Sequence, residues 1–294
     1  MTMFEVLDET GRNTNLRDRI REVLERVAPH VAETTGLPLP AQARYRLLPP
    51  KAWREEFRLN AHRILARDIA ELDPTPAEID ATRVVLKGAG AAAVLVWPLV
   101  LGSTHKAADG QHETVIAPTT WRHAGLLADD PAIHQVVAHE LVHHLQAKAR
   151  AGEVWKTFFP ARRGLENIPR DSFTYVLEGH ATWADQQVTG RLFGTPADHR
   201  QARKSWRYRL HDNPVIRRLG PSREAYEQGA ALIARAVQAH GTHSVNRIWK
   251  DVSLLPTAEE LADPAAWARR LWPQATDGDV RLRIFPPSRR KGMT

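Results

Sequence analysis

The stretch His139-Glu140-Leu141-Val142-His143 constrains this chain most, because it falls on a helix that can be derived without it. Asp130-Pro131 reads as an N-cap carboxylate followed by a proline at the first helical position, where a missing N–H costs nothing. Ile133, Val136, Val137, Leu141 and Leu145 then recur every three to four residues and give a core-facing stripe. Lys148 and Arg150 put positive charge near the helix end, and Gly152 is the expected stop. Two imidazoles four residues apart on such a helix point the same way and can grip one divalent metal ion. The glutamate between them lies beside the metal, not on it.

The chain has no cysteine, so thiolate ligands and disulfides are excluded, and a metal site must be built from histidine and carboxylate. That donor set belongs to catalytic zinc, which needs a third protein ligand and leaves one position to water. The candidate is Glu178 in Leu177-Glu178-Gly179-His180-Ala181-Thr182-Trp183, on the next expected helix, which Asp171 or Ser172 would cap. The interval from His143 allows one turn back and a second helix against the first, with Gly179 and Ala181 small enough for close approach. The intervening Glu153 to Arg170, with Trp155, Phe158, Phe159 and Pro160, reads as irregular chain forming a cleft wall or lid.

This pattern resembles the gluzincins, zinc metallopeptidases in which a His-Glu-x-x-His helix is followed by a helix supplying a glutamate ligand. The resemblance covers roughly Ser103 to Gly190 and extends to a bacterial branch whose ligand helix reads Glu-Gly-x-Ala. Tyr226-Glu227-Gln228-Gly229 before an apolar helix is similar to that branch too. The resemblance implies an α+β fold, mostly α, with a zincin-like core and a small β-hairpin or sheet beside the active-site helix. It implies His139, His143 and Glu178 as zinc ligands and Glu140 as catalytic base, acting on a peptide or protein substrate.

Thermolysin-like members place an aspartate four residues after the ligand glutamate to brace a zinc histidine. Here Thr182 holds that position, and Asp185, the next acidic residue, reads as off that face. Tyr226, His211, His240 and His243 are candidates for a donor to the oxyanion, with Tyr226 preferred. His144 points about 100° round the helix from His143 and reads as an exposed or supporting histidine, not a ligand. His180 should face away from Glu178. Two alternatives stay open: a zinc hydrolase of a non-peptide amide, and a non-catalytic zincin-fold binding or regulatory protein. Retention of Glu140 argues against the second, since zinc needs only the ligands while turnover needs the base.

At 294 residues and 43% hydrophobic the chain can bury a sizeable core. The net charge of +7 permits an acidic partner, but the arginines are scattered along helical stretches and the terminal Arg281 to Lys291 segment, which argues against a dedicated nucleic-acid site. Met1 to Arg12 lacks the basic start and apolar core of a secretory signal, and the apolar run Ala91 to Leu101, broken by Pro98, is too short to cross a bilayer. A cytoplasmic location is expected. Helices are expected over Asn15 to Thr35, Trp53 to Leu72 and Ala77 to Leu101, with a strand at Ala43 to Leu48. A hairpin around Asp109-Gly110 should span Ser103 to Pro118. Further helix is expected beyond Gly194 through Trp206, from Ser222 to Ala239 and from Asn246 to Val252. The chain divides into a mainly helical region 1–102, a catalytic region 103–273 and a basic tail 274–294.

Overall fold

The computed structural model describes residues 2–149, 157–165, 168–212 and 223–271. The expected stop at Gly152, Trp155 and the tail from Gln274 lie outside the described residues.

The fold is α+β and mostly α, with one four-stranded sheet. Met3–Asp8 (β1) leads into Thr14–Thr35 (α1), which returns the chain to Gln42–Leu47 (β2), paired parallel to β1. α1 buries Leu16, Ile20, Val23, Leu24, Val27 and Val31, the stripe read in the sequence, and ends where Gly36 turns left-handed at φ 66°. Pro50–Leu72 (α2) and Pro76–Val96 (α3) follow, α3 opened by a capping box of Thr75 and Glu78. The hairpin Ser103–Lys106 (β3) and His112–Ile116 (β4) comes next. β4 inserts parallel to β2, so the order is β1-β2-β4-β3 with β1 and β3 at the edges.

The sequence pattern does not announce β1. As an edge strand it buries only Val6, so the apolar alternation that marks a half-buried strand is missing. The register lines up Val6, Tyr45, Thr114 and Thr104 in one row across the sheet, and Glu5, Arg44, Glu113 and His105 in the adjacent row. Because side chains alternate, the two rows face opposite ways. Val6, Ala43, Tyr45, Leu47 and Ile116 join the main core with apolar residues of α1 and of Asp130–Lys148, while Trp53 packs with Leu48, Val115 and Ala117 on the opposite face.

Pro118–Ala124 (α4) precedes Asp130–Lys148 (α5). Beyond it run Arg170–Phe193 (α6), Trp206–His211 (α7) and Arg223–Val245 (α8), and α6 packs against both α5 and α8. Ala258–Ala262 (α9) and Pro264–Leu271 (α10) close the described chain, with Trp267 buried. The described part of the segment expected as cleft wall is tied to α2: Thr157 Oγ1 and the Phe158 N–H both donate to Asp68 Oδ2. No described helix is long and apolar enough to cross a membrane.

Several boundaries differ from the sequence reading. The N-cap of α5 is Asp129, which accepts from the Ala132 N–H, so Asp130 already lies in the first turn. α6 starts after Pro169 without a side-chain cap, and Ser172 Oγ instead donates to the Pro256 carbonyl. After Gly194 the chain is not continuous helix. It makes a short 3-10 turn at His199–Gln201 capped by Asp198, and α7 begins only at Trp206 under Ser205. The expected helix from Asn246 is two 3-10 turns, Asn246–Trp249 and Val252–Leu254, the second started by an Asp251 cap.

Candidate metal centre

Because α5 is buried on most sides, its few partly exposed positions define where a ligand can reach it. His139 and His143 are two of these, with side chains 16% and 15% exposed. Across from them α6 presents Glu178, whose Oε2 lies 3.2 Å from His139 Nε2 and 3.5 Å from His143 Nε2. One donor atom from each of the three lies within 4.8 Å of the others.

The other ring nitrogens are held from behind. His139 Nδ1 donates to Asp185 Oδ2 at 3.0 Å, and Gln135 Nε2 donates to the same carboxylate at 3.2 Å. Asp185 was read as off the Glu178 face, and the structure corrects this. Seven residues are two helical turns less about 20°, so Glu178 and Asp185 address the same histidine. The i+7 spacing was the signal to use. His143 Nδ1 donates to Gln146 Oε1 at 2.8 Å, and Gln146 Nε2 in turn donates to the Leu177 carbonyl and to His180 Nδ1. His180, buried and pushed down to about 3 by burial and then by His143, serves as an acceptor away from Glu178. Each Nδ1–H is thereby committed to an acceptor, which leaves both Nε2 lone pairs facing Glu178.

Two lone pairs and a carboxylate oxygen at such separations repel unless a cation lies among them. Without such an ion a proton on His139 Nε2, donated to Glu178, takes that place, and the titration directions show the same pull for positive charge. Burial opposes the His139 imidazolium, yet Asp185 and Glu178 raise its pKa well above the usual value. Burial also opposes the Glu178 anion, yet His143 and His139 hold its carboxyl well below the usual range. This donor set fits a divalent zinc-like ion.

Glu140 is buried on the sheet side, and its Oε2 accepts from Thr104 Oγ1 on β3 at 2.7 Å. Tyr226, in the first turn of α8, stacks on His139 with ring centroids 6.2 Å apart. Burial first, then the charges of Glu178 and Glu140 and a hydrogen bond to Glu178, raise its phenol well above 10, so it remains a donor. A crossing of two glycines brings α8 this close: a Cβ on Gly179 would lie 2.2 Å from the Gly229 carbonyl carbon. The close approach expected between α5 and α6 at Gly179 is therefore made between α6 and α8. His240 lies 14 residues beyond Tyr226, about 21 Å along the helix, and His243 lies past a break at Gly241, next to Thr242, which packs against Gly36 at the end of α1; neither is brought to the site. The His211 side chain lies outside the described structure.

Glu56, His105 and Glu113 form a second cluster of similar span. Its positive charge is already supplied, since Arg46 Nη1 lies 2.7 Å from Glu113 Oε1 and Arg63 pairs with Glu56. The adjacent His105, and then Arg63, lower Glu56 to about 2.

Residues 176–268, which include Glu178 and Tyr226 but not the His139 to His143 motif, match the family model for zincin-like metallopeptidases. A crystal structure described as a candidate hydrolase with a novel fold, from Chloroflexus aurantiacus, superposes with a TM-score of 0.59 at 17% identity, covering 90% of this chain and 92% of that one. No curated protein matches the chain. The chain is thus similar to zincin-like metallopeptidases over residues 176–268, about a third of its length, and shares the fold of the Chloroflexus protein over nearly its whole length.

Proposed function

We propose that the chain is a zinc-dependent metallopeptidase in which His139, His143 and Glu178 hold the metal and Glu140 is the general base. The observation that carries this reading is the convergence of two oriented imidazoles and one carboxylate from α5 and α6, with Glu140 close enough that its charge, like that of Glu178, acts on Tyr226. When bound, zinc supplies Lewis acidity that polarises a carbonyl and makes hydroxide available near neutral pH.

Glu140 takes the proton of the attacking water and passes it to the leaving amine, since an amide nitrogen departs poorly unless protonated. Tyr226 donates to the developing oxyanion, a contact typically worth about 3 kcal/mol. β3 is an edge strand of the sheet, and its Thr104 holds the Glu140 carboxylate. Similarity to zincin-like metallopeptidases and the hydrolase description of the structural neighbour support the same class. The catalytic region is 103–273, with 1–102 packed on it.

The test is metal analysis together with a peptide-library digest of wild type and Glu140→Gln. The reading expects about one zinc per chain in both proteins, and cleavage that falls about 10³-fold in the variant. A zinc-loaded wild type without Glu140-dependent cleavage of any peptide overturns it. Hydrolysis confined to non-peptide amides would move the assignment to another hydrolase.

A further inference from the structure

The pattern on α5 repeats one residue along. His139 and His143 are four apart and face Glu178, while Glu140 and His144 are four apart and face the sheet. Opposite them the register places Thr104 of β3 directly beside Thr114 of β4. One helical turn rises about 5.4 Å and neighbouring strands lie about 4.8 Å apart, so two side chains on the helix can meet two on the sheet in matched pairs.

They do. Thr104 Oγ1 lies 2.7 Å from Glu140 Oε2 and 2.6 Å from Thr114 Oγ1, and Thr114 Oγ1 lies 3.0 Å from His144 Nε2. Each hydroxyl has one proton to give. Thr104 gives its proton to the Glu140 carboxylate and therefore accepts from Thr114, which in turn accepts from a His144 Nε2–H. Thr114 is 0% and His144 2% exposed, so water does not compete for the bond between them. The His144 ring is stacked on the buried Tyr45 at 5.3 Å. On the other side of the carboxylate, Gly102 leaves the room Glu140 occupies, since a Cβ there would sit 2.5 Å from Oε1.

We infer that His144, Thr114 and Thr104 form a one-way hydrogen-bond relay that positions the Glu140 carboxylate, with Gly102 closing the far side. These are positioning residues and touch no substrate. The inference rests on reading Glu140 as the base, but its geometry stands in the metal-free chain too.

Two arms test it on the full-length chain. In the zinc-loaded protein, Thr104→Val is expected to lower kcat about ten- to a hundredfold with KM within about twofold and zinc content unchanged, and Thr104→Ser to restore most of the rate. In the metal-free protein, nitrogen NMR of His144 is expected to show the proton on Nε2, slow to exchange in wild type and fast in Thr114→Val. A Thr104→Val enzyme with wild-type kcat, or a His144 ring protonated on Nδ1 with a bare Nε2, overturns the relay. Absence of Glu140-dependent cleavage in wild type would overturn the metallopeptidase reading instead, and the NMR arm would still decide the relay.

Discussion

Two clusters in this molecule use the same side-chain types, and they differ in where the positive charge comes from. Around Glu56, His105 and Glu113 it is covalently part of the protein, as the guanidiniums of Arg46 and Arg63. Around His139, His143 and Glu178 no lysine or arginine pairs with the carboxylate among the described residues. Both Nδ1 protons there are spent on Asp185 and Gln146. The difference teaches that proximity of donors alone does not mark a metal site. What marks it is a set of lone pairs whose orientation is enforced and whose charge is left unbalanced.

The largest expected effect breaks that contrast outright. Zinc at about a thousandfold excess over its Kd should stabilise the wild type by about 4 kcal/mol, read as a rise in thermal midpoint. Glu113→Gln should keep that zinc-induced rise, whereas Glu178→Ala should lose it. Equal rises in both variants would place the metal elsewhere. A smaller effect tests the support behind the ligands. Asp185→Asn should weaken zinc binding about 10- to 100-fold in a competition titration with a chelator while leaving the fold intact, and an unchanged affinity would remove Asp185 from the site.

The smallest effect belongs to the cluster of Glu56, His105 and Glu113. Glu56 sits at about 2 in the folded chain against an ordinary 4.5, so its stabilisation is fully present above about pH 4.5 and is lost as pH falls toward 2. Glu56→Gln should therefore lower stability by about 1–2 kcal/mol at pH 7, after allowing for solvent screening, and by little near pH 2. A deficit independent of pH would point to packing instead of charge.

Where a sequence signal is local, the reading and the structure agree. α1, α2, β2 and the hairpin are found within a few residues of expectation, because their periodicity or turn residues act over one or two turns. β1 is invisible for the opposite reason: its partners are supplied by a strand almost forty residues away, and it buries one side chain. The three residues singled out as ligands do come together, yet their supports were harder to see. Asp185 could have been found by counting two turns from Glu178. Gln146 has no chemical signature, and its role becomes apparent only once the α6 backbone lies beside it. Thr104 and Thr114 read as ordinary hairpin residues until the sheet register sets them against α5.

Gln146 carries one more consequence. Its amide holds the second imidazole with one end and the Leu177 carbonyl, next door to Glu178, with the other. The orientation of one candidate ligand and the arrival of the next are thus a single event. Metal capture should trail tertiary assembly during refolding, so a zinc-sensitive dye in a stopped-flow experiment should respond only after a lag.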